Sequence, residues 1–412
     1  GRSVSETGVT TARPPVKPEA IGLLAGRRFH PHRRTALAVH HEQLGAQWIP
    51  AGLWSRPAYY GVPADKAQRV AEEVRAVREG VGLIDVSTLG GIDLRGPDAA
   101  ELMNRFYTYG FLKQPVGRTR YAVLVSEQGV VIDDGVAARL AEDHFYVTAT
   151  TGGVERVYQE MLRWNAQWRL RVDVANVTAA FSAINIAGPE SRKVLETLSG
   201  SVDLSAEEFP YLGCRVGEIS GVPVRMMRVG FVGELGYELH VPSFFAGQLW
   251  SSLATAGAPW GIRPFGVEAQ RLLRLEKGHI IVSQDTDGMT HPCEVGLDWA
   301  MNRTKPDFVG RRSVDILAKA PLTRQLVGFS LAITAPKPLE GHLVIREGNI
   351  VGNVTSCEVS PTLGRIIGLA YAHPDDAIPG GSIWVRTEGG VAVQARVEAL
   401  PFYDPETERQ LL

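Results

Sequence analysis

Only three cysteines occur in 412 residues, Cys214, Cys293 and Cys357, with no C-x-x-C pair and no histidines grouped beside them. That scarcity argues against a disulfide framework or a cysteine-based zinc site, and it suits a reducing, cytoplasmic setting. An excess of basic charge is missing too, because the formal net charge is −2. A nucleic-acid partner is therefore not expected. No apolar run reaches membrane-spanning length, and the opening "GRSVSETGVTTARPP" is too polar for a signal peptide. Neither a membrane contact nor a leader is expected. The chain begins with glycine rather than methionine, as a processed chain or a piece of something longer would. No Rossmann fingerprint is present, so FAD and NAD sites are not expected. No nucleophile elbow appears either, and with it goes a Ser-His-Asp set.

What is present is ordinary globular material, 44% hydrophobic and 21% charged. The length predicts two or three domains. Residues 1–64 read as an extended N-terminal segment facing a partner, with a Pro/Ser/Thr-rich lead-in followed by a stretch dense in Arg, His, Trp and Tyr. Histidines at 30, 32, 40 and 41 invite a metal reading. Neighbours in "HPH" and "HH" point to opposite sides of an extended chain, however, and no carboxylate or cysteine completes a ligand set, so no metal is expected.

From about residue 65, "DKAQRVAEEVRAVREG" has the apolar spacing of a helix that ends at glycine. Then comes an internal echo. "IDLRGPDAAELMNRF" (92–106) and "INIAGPESRKVLETL" (184–198) each read strand, Gly-Pro turn, amphipathic helix. The fold class that follows is α+β, with two similar lobes over 65–320 and a ligand cleft between them. After about residue 322 short β-like runs are cut by Gly, Pro and "REGN"-type turns. That texture predicts a small C-terminal antiparallel barrel over 321–412.

Three stretches could carry chemistry. In "RVGFVGELGYELHVP" (228–242) the glycine spacing is not that of a dinucleotide loop, and "YELHVP" alternates as a strand, so a phosphate site is a poor fit. The choice there lies between Glu234, at a turn, and Glu238, at a strand start. In "RYAVLVSEQGVVIDDGVAARL" (120–140) two strands flank a "SEQG" hairpin, and the second carries Asp133 and Asp134. One of the pair must point into the domain, where a carboxylate has to be bonded or used. The third stretch, 266–299, is a helix followed by an irregular polar loop. Its "DTDG" lacks the spacing and closing glutamate of a calcium loop.

These residues carry a resemblance. "GLIDVSTLGGIDLRGPDA", "VVIDDG", "GFVGELGYELHVP", "RLLRLEKG" and "DFVGRRS" are similar to the T-protein (aminomethyltransferase) family of the glycine cleavage system, from about residue 68 to the end. "TARPP", "AGLWSRPAYY", "HIIVSQDTDG" and "LPFYDP" further resemble the C-terminal half of the alpha subunit of heterotetrameric sarcosine oxidases. The resemblance implies two lobes and a barrel around a tetrahydrofolate cleft. It assigns Glu238 to the pterin, since a carboxylate matches a side-by-side N–H pair. Phe231, Tyr237 and Tyr121 are expected beside the ligand. It assigns catalysis to Asp134, with Asp133 in reserve. The family arginine that helps hold the folate tail falls on Gln270, leaving Arg271 or Arg274 to substitute.

The implied reaction is capture, on tetrahydrofolate, of the carbon of an iminium made by oxidising an N-methyl amine such as sarcosine. The products are 5,10-methylenetetrahydrofolate and glycine, and flavin-bearing subunits are the implied partners. A stand-alone aminomethyltransferase or demethylase, and a folate-binding module without catalysis, are the alternatives.

Overall fold

The computed structural model describes residues 33–412; residues 1–32, with His30, His32 and the lead-in, lie outside them. The described part of the N-terminal segment is not extended. It forms a helix, Ala38–Gln43, and an antiparallel hairpin of β1 (Ala46–Ala51) and β2 (Trp54–Tyr60). Hydrogen bonding decides this. Glu73 accepts from the backbone N–H of Tyr60 at 2.8 Å and of Gly266 at 2.9 Å, bolting the hairpin between two helices. His41 is fully buried, with Nε2 3.1 Å from Asp85 and Nδ1 2.9 Å from the Tyr60 hydroxyl. Over its described part the N-terminal segment is thus a helix and a packed hairpin rather than an extended piece.

The helix foreseen from about 65 runs Lys66–Glu79 and leads into β3 (Gly82–Asp85). The first lobe follows: β4 (Gly90–Arg95), the helix Ala99–Phe106, β5 (Arg118–Val125), β6 (Val131–Ala141), β7 (His144–Ala149), the helix Val154–Trp168 and β8 (Asp173–Asn176). The second repeats it with β9 (Phe181–Ala187), the helix Ser191–Glu196, β10 (Cys214–Ile219), β11 (Val222–Met227), β12 (Gly236–Pro242) and the helix Ala246–Gly257. A short β13 (Arg263–Pro264) pairs parallel to β3, and the helix Val267–Glu276 succeeds it.

The echo is structural. Four strands of the first sheet lie in the order β5-β6-β7-β4, and four of the second in the order β10-β11-β12-β9. Each lobe leaves its inner strand through a glycine of positive φ, Gly96 (+145°) and Gly188 (+128°). A Cβ at either would strike backbone oxygens within 2.3 Å, so only glycine fits both turns. Each sheet buries one face under its own helices: Ile92, Leu94 and Val147 on one side, Ile184, Ile186, Leu239 and Val241 on the other.

The barrel closes from β14 (Gln325–Leu331), β15 (Leu343–Arg346), β16 (Asn349–Ser360), β17 (Arg365–Ala372), β18 (Ser382–Arg386) and β19 (Ala392–Glu398), in the order β14-β17-β16-β15-β18-β19. Closure leaves no free sheet edge. Barrel and lobes are joined by charge as well as packing, because Arg274 of the Val267–Glu276 helix donates to both Asp285 (2.5 Å) and Ser356 of β16 (2.6 Å). "DTDG" is thereby accounted for. Asp285 is committed to Arg274, and Asp287 to Arg324 at 2.8 Å.

Candidate functional site

The two sheets turn their second faces towards each other. Side chains alternate along a strand, so Asp134, Val136 and Ala138 of β6 share a face, and Ala138 lies opposite Tyr146 of β7. In the other sheet Glu238 and His240 of β12 share a face and lie opposite Met227 and Arg225 of β11. Ala138, Tyr146, Cys214, Met227 and Val229 form one buried cluster, with Val136 packed against it. Asp134 and Glu238 therefore come from different lobes to the same seam.

The adjacent aspartates diverge, and their surroundings separate them. Asp133 turns inward and is 2% exposed. It accepts from the Thr150 N–H (3.0 Å), the Thr150 hydroxyl (2.9 Å) and the Asp134 N–H (2.7 Å). Burial raises its pKa while those bonds oppose the rise. A Cβ on Gly153 would stand 1.5 Å from its Oδ2, so the glycine is part of its seat. Asp133 is a closed, saturated group at the entry to the Val154–Trp168 helix.

Asp134 is half-buried and accepts one side-chain hydrogen bond, from the Tyr121 hydroxyl at 2.7 Å. Burial pushes its carboxyl up to about 7, against the Tyr121 bond and with the help of Asp133. Burial and the neighbouring carboxylate keep the Tyr121 phenol protonated, and hence a donor. The indole of Trp299, 63% exposed, stacks on the Tyr121 ring at 5.4 Å and 21°. A carboxyl poised near neutrality beside an aromatic shelf can hold or release a proton.

Glu238 is 9% exposed, and its Oε2 lies 3.3 Å from His240 Nε2. Glu234 has another task, larger than that of a turn residue. It is 1% exposed and accepts from Arg78 (2.9 Å), Arg409 (2.9 Å) and the Tyr403 hydroxyl (3.0 Å). Burial raises its pKa, and the two arginines hold it down. Its capacity is spent on fastening the C-terminal segment to the second lobe.

Tyr237 requires a correction. It faces the opposite side of β12 from Glu238, is fully buried, and packs on Phe209 at 5.7 Å with its hydroxyl taken by Arg192. It belongs to the core of the second lobe, as the strand period requires. Phe231 is partly exposed and stacks on His279 at 5.8 Å, while its carbonyl lies 2.8 Å from His279 Nδ1. Gln270 accepts from Arg56 of β2 at 3.3 Å, so the hairpin brings a guanidinium beside it. Arg271, one residue on, lies close enough to Arg56 for its charge to help lower the Arg56 pKa, after the larger effect of burial. With Ser283, Gln284, Glu340, Asn353 and Thr355 it lines a cavity of about 410 Å³ between its helix and the barrel. Arg274 does not reach such a site, because it is 1% exposed in its pairing with Asp285.

The sequence reading missed His240, Tyr146, Trp299 and Arg56. His240 was within reach, since alternation places it on the face of Glu238. The other three arrive from distant segments and leave no local signal.

Residues 37–305 match the family model of the GCVT N-terminal domain, and residues 324–404 that of the glycine cleavage T-protein C-terminal barrel domain. The chain is 36% identical over 430 residues to the sarcosine oxidase subunit alpha of Corynebacterium sp. (strain U-96), covering 98% of this chain and 44% of that protein. It spans less than half the length of that subunit. It is 34% identical over 370 residues to the aminomethyltransferase of Halothermothrix orenii, covering 90% of this chain and 99% of that one. Aminomethyltransferase T of the glycine cleavage system from Bartonella henselae superposes with a TM-score of 0.80 at 24% identity, over 90% of this chain and 98% of that one. That last likeness is one of fold.

Proposed function

The chain belongs to the glycine cleavage T-protein family, and on that premise we propose that it binds tetrahydrofolate and transfers a one-carbon unit to it. The carbon is that of an iminium from oxidation of an N-methyl amine such as sarcosine, and glycine is released. In this reading the chain is part of a sarcosine oxidase alpha subunit, partnered by flavin-bearing subunits. The strong match to such subunits over 98% of the chain supports that setting.

The observation that carries the reading is Asp134, a half-buried carboxyl raised to about 7 on the face that meets the other lobe. Tetrahydrofolate, when bound, supplies the nucleophilic nitrogen. Glu238 holds the pterin edge, since its Oε1 accepts from no described residue and a carboxylate offers two prongs. Asp134, as the carboxylate, stabilises positive charge nearby and takes up the proton that the reacting nitrogen loses. Tyr121 fixes which oxygen of Asp134 is free, and the stacked Trp299 shields that side from water. Arg56 and Arg271 provide the positive charge that suits a tail ending in carboxylates.

Calorimetry with tetrahydrofolate tests the assignment. Glu238→Gln is expected to weaken binding by about tenfold or more, the effect of losing a charge-assisted hydrogen bond. Equal binding would sink the pterin role. Asp134→Asn is expected to bind tetrahydrofolate almost normally and to lose methylene transfer. Full transfer by that variant would remove Asp134 from the chemistry, and no transfer by the wild type would leave only a binding module.

A second reading, a stand-alone aminomethyltransferase, is favoured by the 99% coverage of the Halothermothrix orenii enzyme. Copurification separates the two. A chain that never associates with a flavoprotein supports the second.

A further inference from the structure

Glu238 is not held by its own strand alone. Its Oε2 lies 3.3 Å from His240 Nε2, and His240 Nδ1 lies 3.0 Å from the Tyr146 hydroxyl. The directions follow from what each group can donate. A carboxylate only accepts, so Nε2 carries the imidazole hydrogen; Nδ1 is then a lone pair, and the phenol donates to it. Burial keeps the Tyr146 hydroxyl protonated, as this requires.

The anchor is itself fixed. Tyr146 is 3% exposed, and its ring carries Arg225 at 4.8 Å. That guanidinium is bound two-pronged to Asp93 at 2.7 and 3.1 Å. A Cβ on Gly91 would come within 2.7 Å of the Tyr146 oxygen. The hydroxyl has one place to be.

The relay also crosses between lobes. Tyr146 lies in the sheet that bears Asp134, while His240 and Glu238 lie in the other. We propose that Tyr146 and His240 are positioning residues, a strut from the first lobe that holds Oε2 of Glu238 through one of its lone pairs, turns the two carboxylate oxygens to the pterin edge, and sets that carboxylate relative to Asp134. This rests on the reading of Glu238 as the pterin acceptor. Neither residue touches the ligand. Their contribution is to remove the rotamer freedom that a glutamate otherwise loses on binding.

The test is calorimetry on the whole chain with two probes, tetrahydrofolate and its 2-desamino-2-methyl analogue, which lacks the exocyclic amino group. His240→Leu is expected to bind tetrahydrofolate about tenfold more weakly while changing little for the analogue, so discrimination between the two collapses. His240→Gln, whose amide can still donate to Glu238, is expected to recover most of that loss. Tyr146→Phe keeps the ring and the packing and serves if His240→Leu does not fold; about threefold weaker binding of tetrahydrofolate is expected.

Unchanged discrimination in His240→Leu or in Tyr146→Phe, with Glu238→Gln weakened, overturns the strut and leaves the pterin role of Glu238 standing. Glu238→Gln binding both probes like the wild type overturns that role, and the strut with it. Equal loss for both probes marks a purely structural role and also overturns the proposal.

Discussion

The Tyr121 hydroxyl donates a 2.7 Å hydrogen bond to the Asp134 carboxylate across two neighbouring strands, β5 and β6. The bond lowers a pKa that burial has pushed up to about 7. If Asp134 acts as a base, transfer rises with pH through about 7 in the wild type. Tyr121→Phe removes the lowering influence, so the limb is expected to move up by about half to one pH unit. A pH–rate profile of kcat/KM checks this, and an unmoved limb would detach Asp134 from the chemistry.

The same group predicts stability. Asp134 binds its proton more tightly folded than unfolded, so its stabilisation is complete below about pH 4 and is lost as pH rises through about 7. At pH 8 the wild type carries a strained charge that asparagine does not. Asp134→Asn is expected to be more stable there by about 1–2 kcal/mol, after discounting for partial contact with water. Urea titrations at pH 5 and pH 8 measure it, and the gain should shrink at the lower pH.

Asp133 is expected to behave oppositely. Asp133→Ala orphans the Thr150 N–H and hydroxyl and should cost about 1–3 kcal/mol of stability. Gly153→Ala forces a Cβ to within 1.5 Å of the carboxylate and should cost about as much through overpacking. Thermal unfolding reads both. The pH limb near 7 should survive in folded Gly153→Ala and move down in folded Asp133→Ala, which loses the neighbouring charge that helps raise Asp134.

Arg271 and its cavity make a prediction about the tail. Arg271→Ala is expected to weaken tetrahydrofolate by about tenfold and leave tetrahydrobiopterin, which has no glutamyl tail, nearly unaffected. Parallel titrations with the two ligands check this. An equal loss for both would place the cavity outside the ligand path.

Arg78 is expected to be indispensable to folding. It is 5% exposed and pairs with Glu234 at 2.9 Å and Glu276 at 2.8 Å. Arg78→Ala strips a charged partner from two buried carboxylates, leaving Glu276 the Ser360 hydroxyl and Glu234 the Arg409 and Tyr403 bonds, and should cost about 3 kcal/mol or more. Circular dichroism melts would show it.

How much of this was legible beforehand depended on distance along the chain. The echo of "IDLRGPDA" and "INIAGPES" was local, so it announced two lobes, and the Gly-Pro turns mark equivalent corners of both sheets. The turn-rich texture after residue 322 likewise announced a barrel. Strand alternation alone removes Tyr237 from the face of Glu238, and it places His240 there. The fold of residues 33–60 was not legible. Its histidines and aromatics read as a partner-facing extension until Glu73, on the following helix, and Asp85, further along the chain, supplied their partners.

The sequence by itself determined the periodicities, the turn points and the positions of the acidic side chains along the strands, because those depend on neighbours within a few positions. Only the tertiary structure decided which member of each pair is free. Asp133 and Asp134 are the same residue type on one strand, as are Glu234 and Glu238 beside one turn. They differ in what packs over them: Thr150 and Gly153 close Asp133, and Arg78 and Arg409 consume Glu234. Burial and partners brought from far along the chain set the charge state of a carboxylate, and no local pattern contains them.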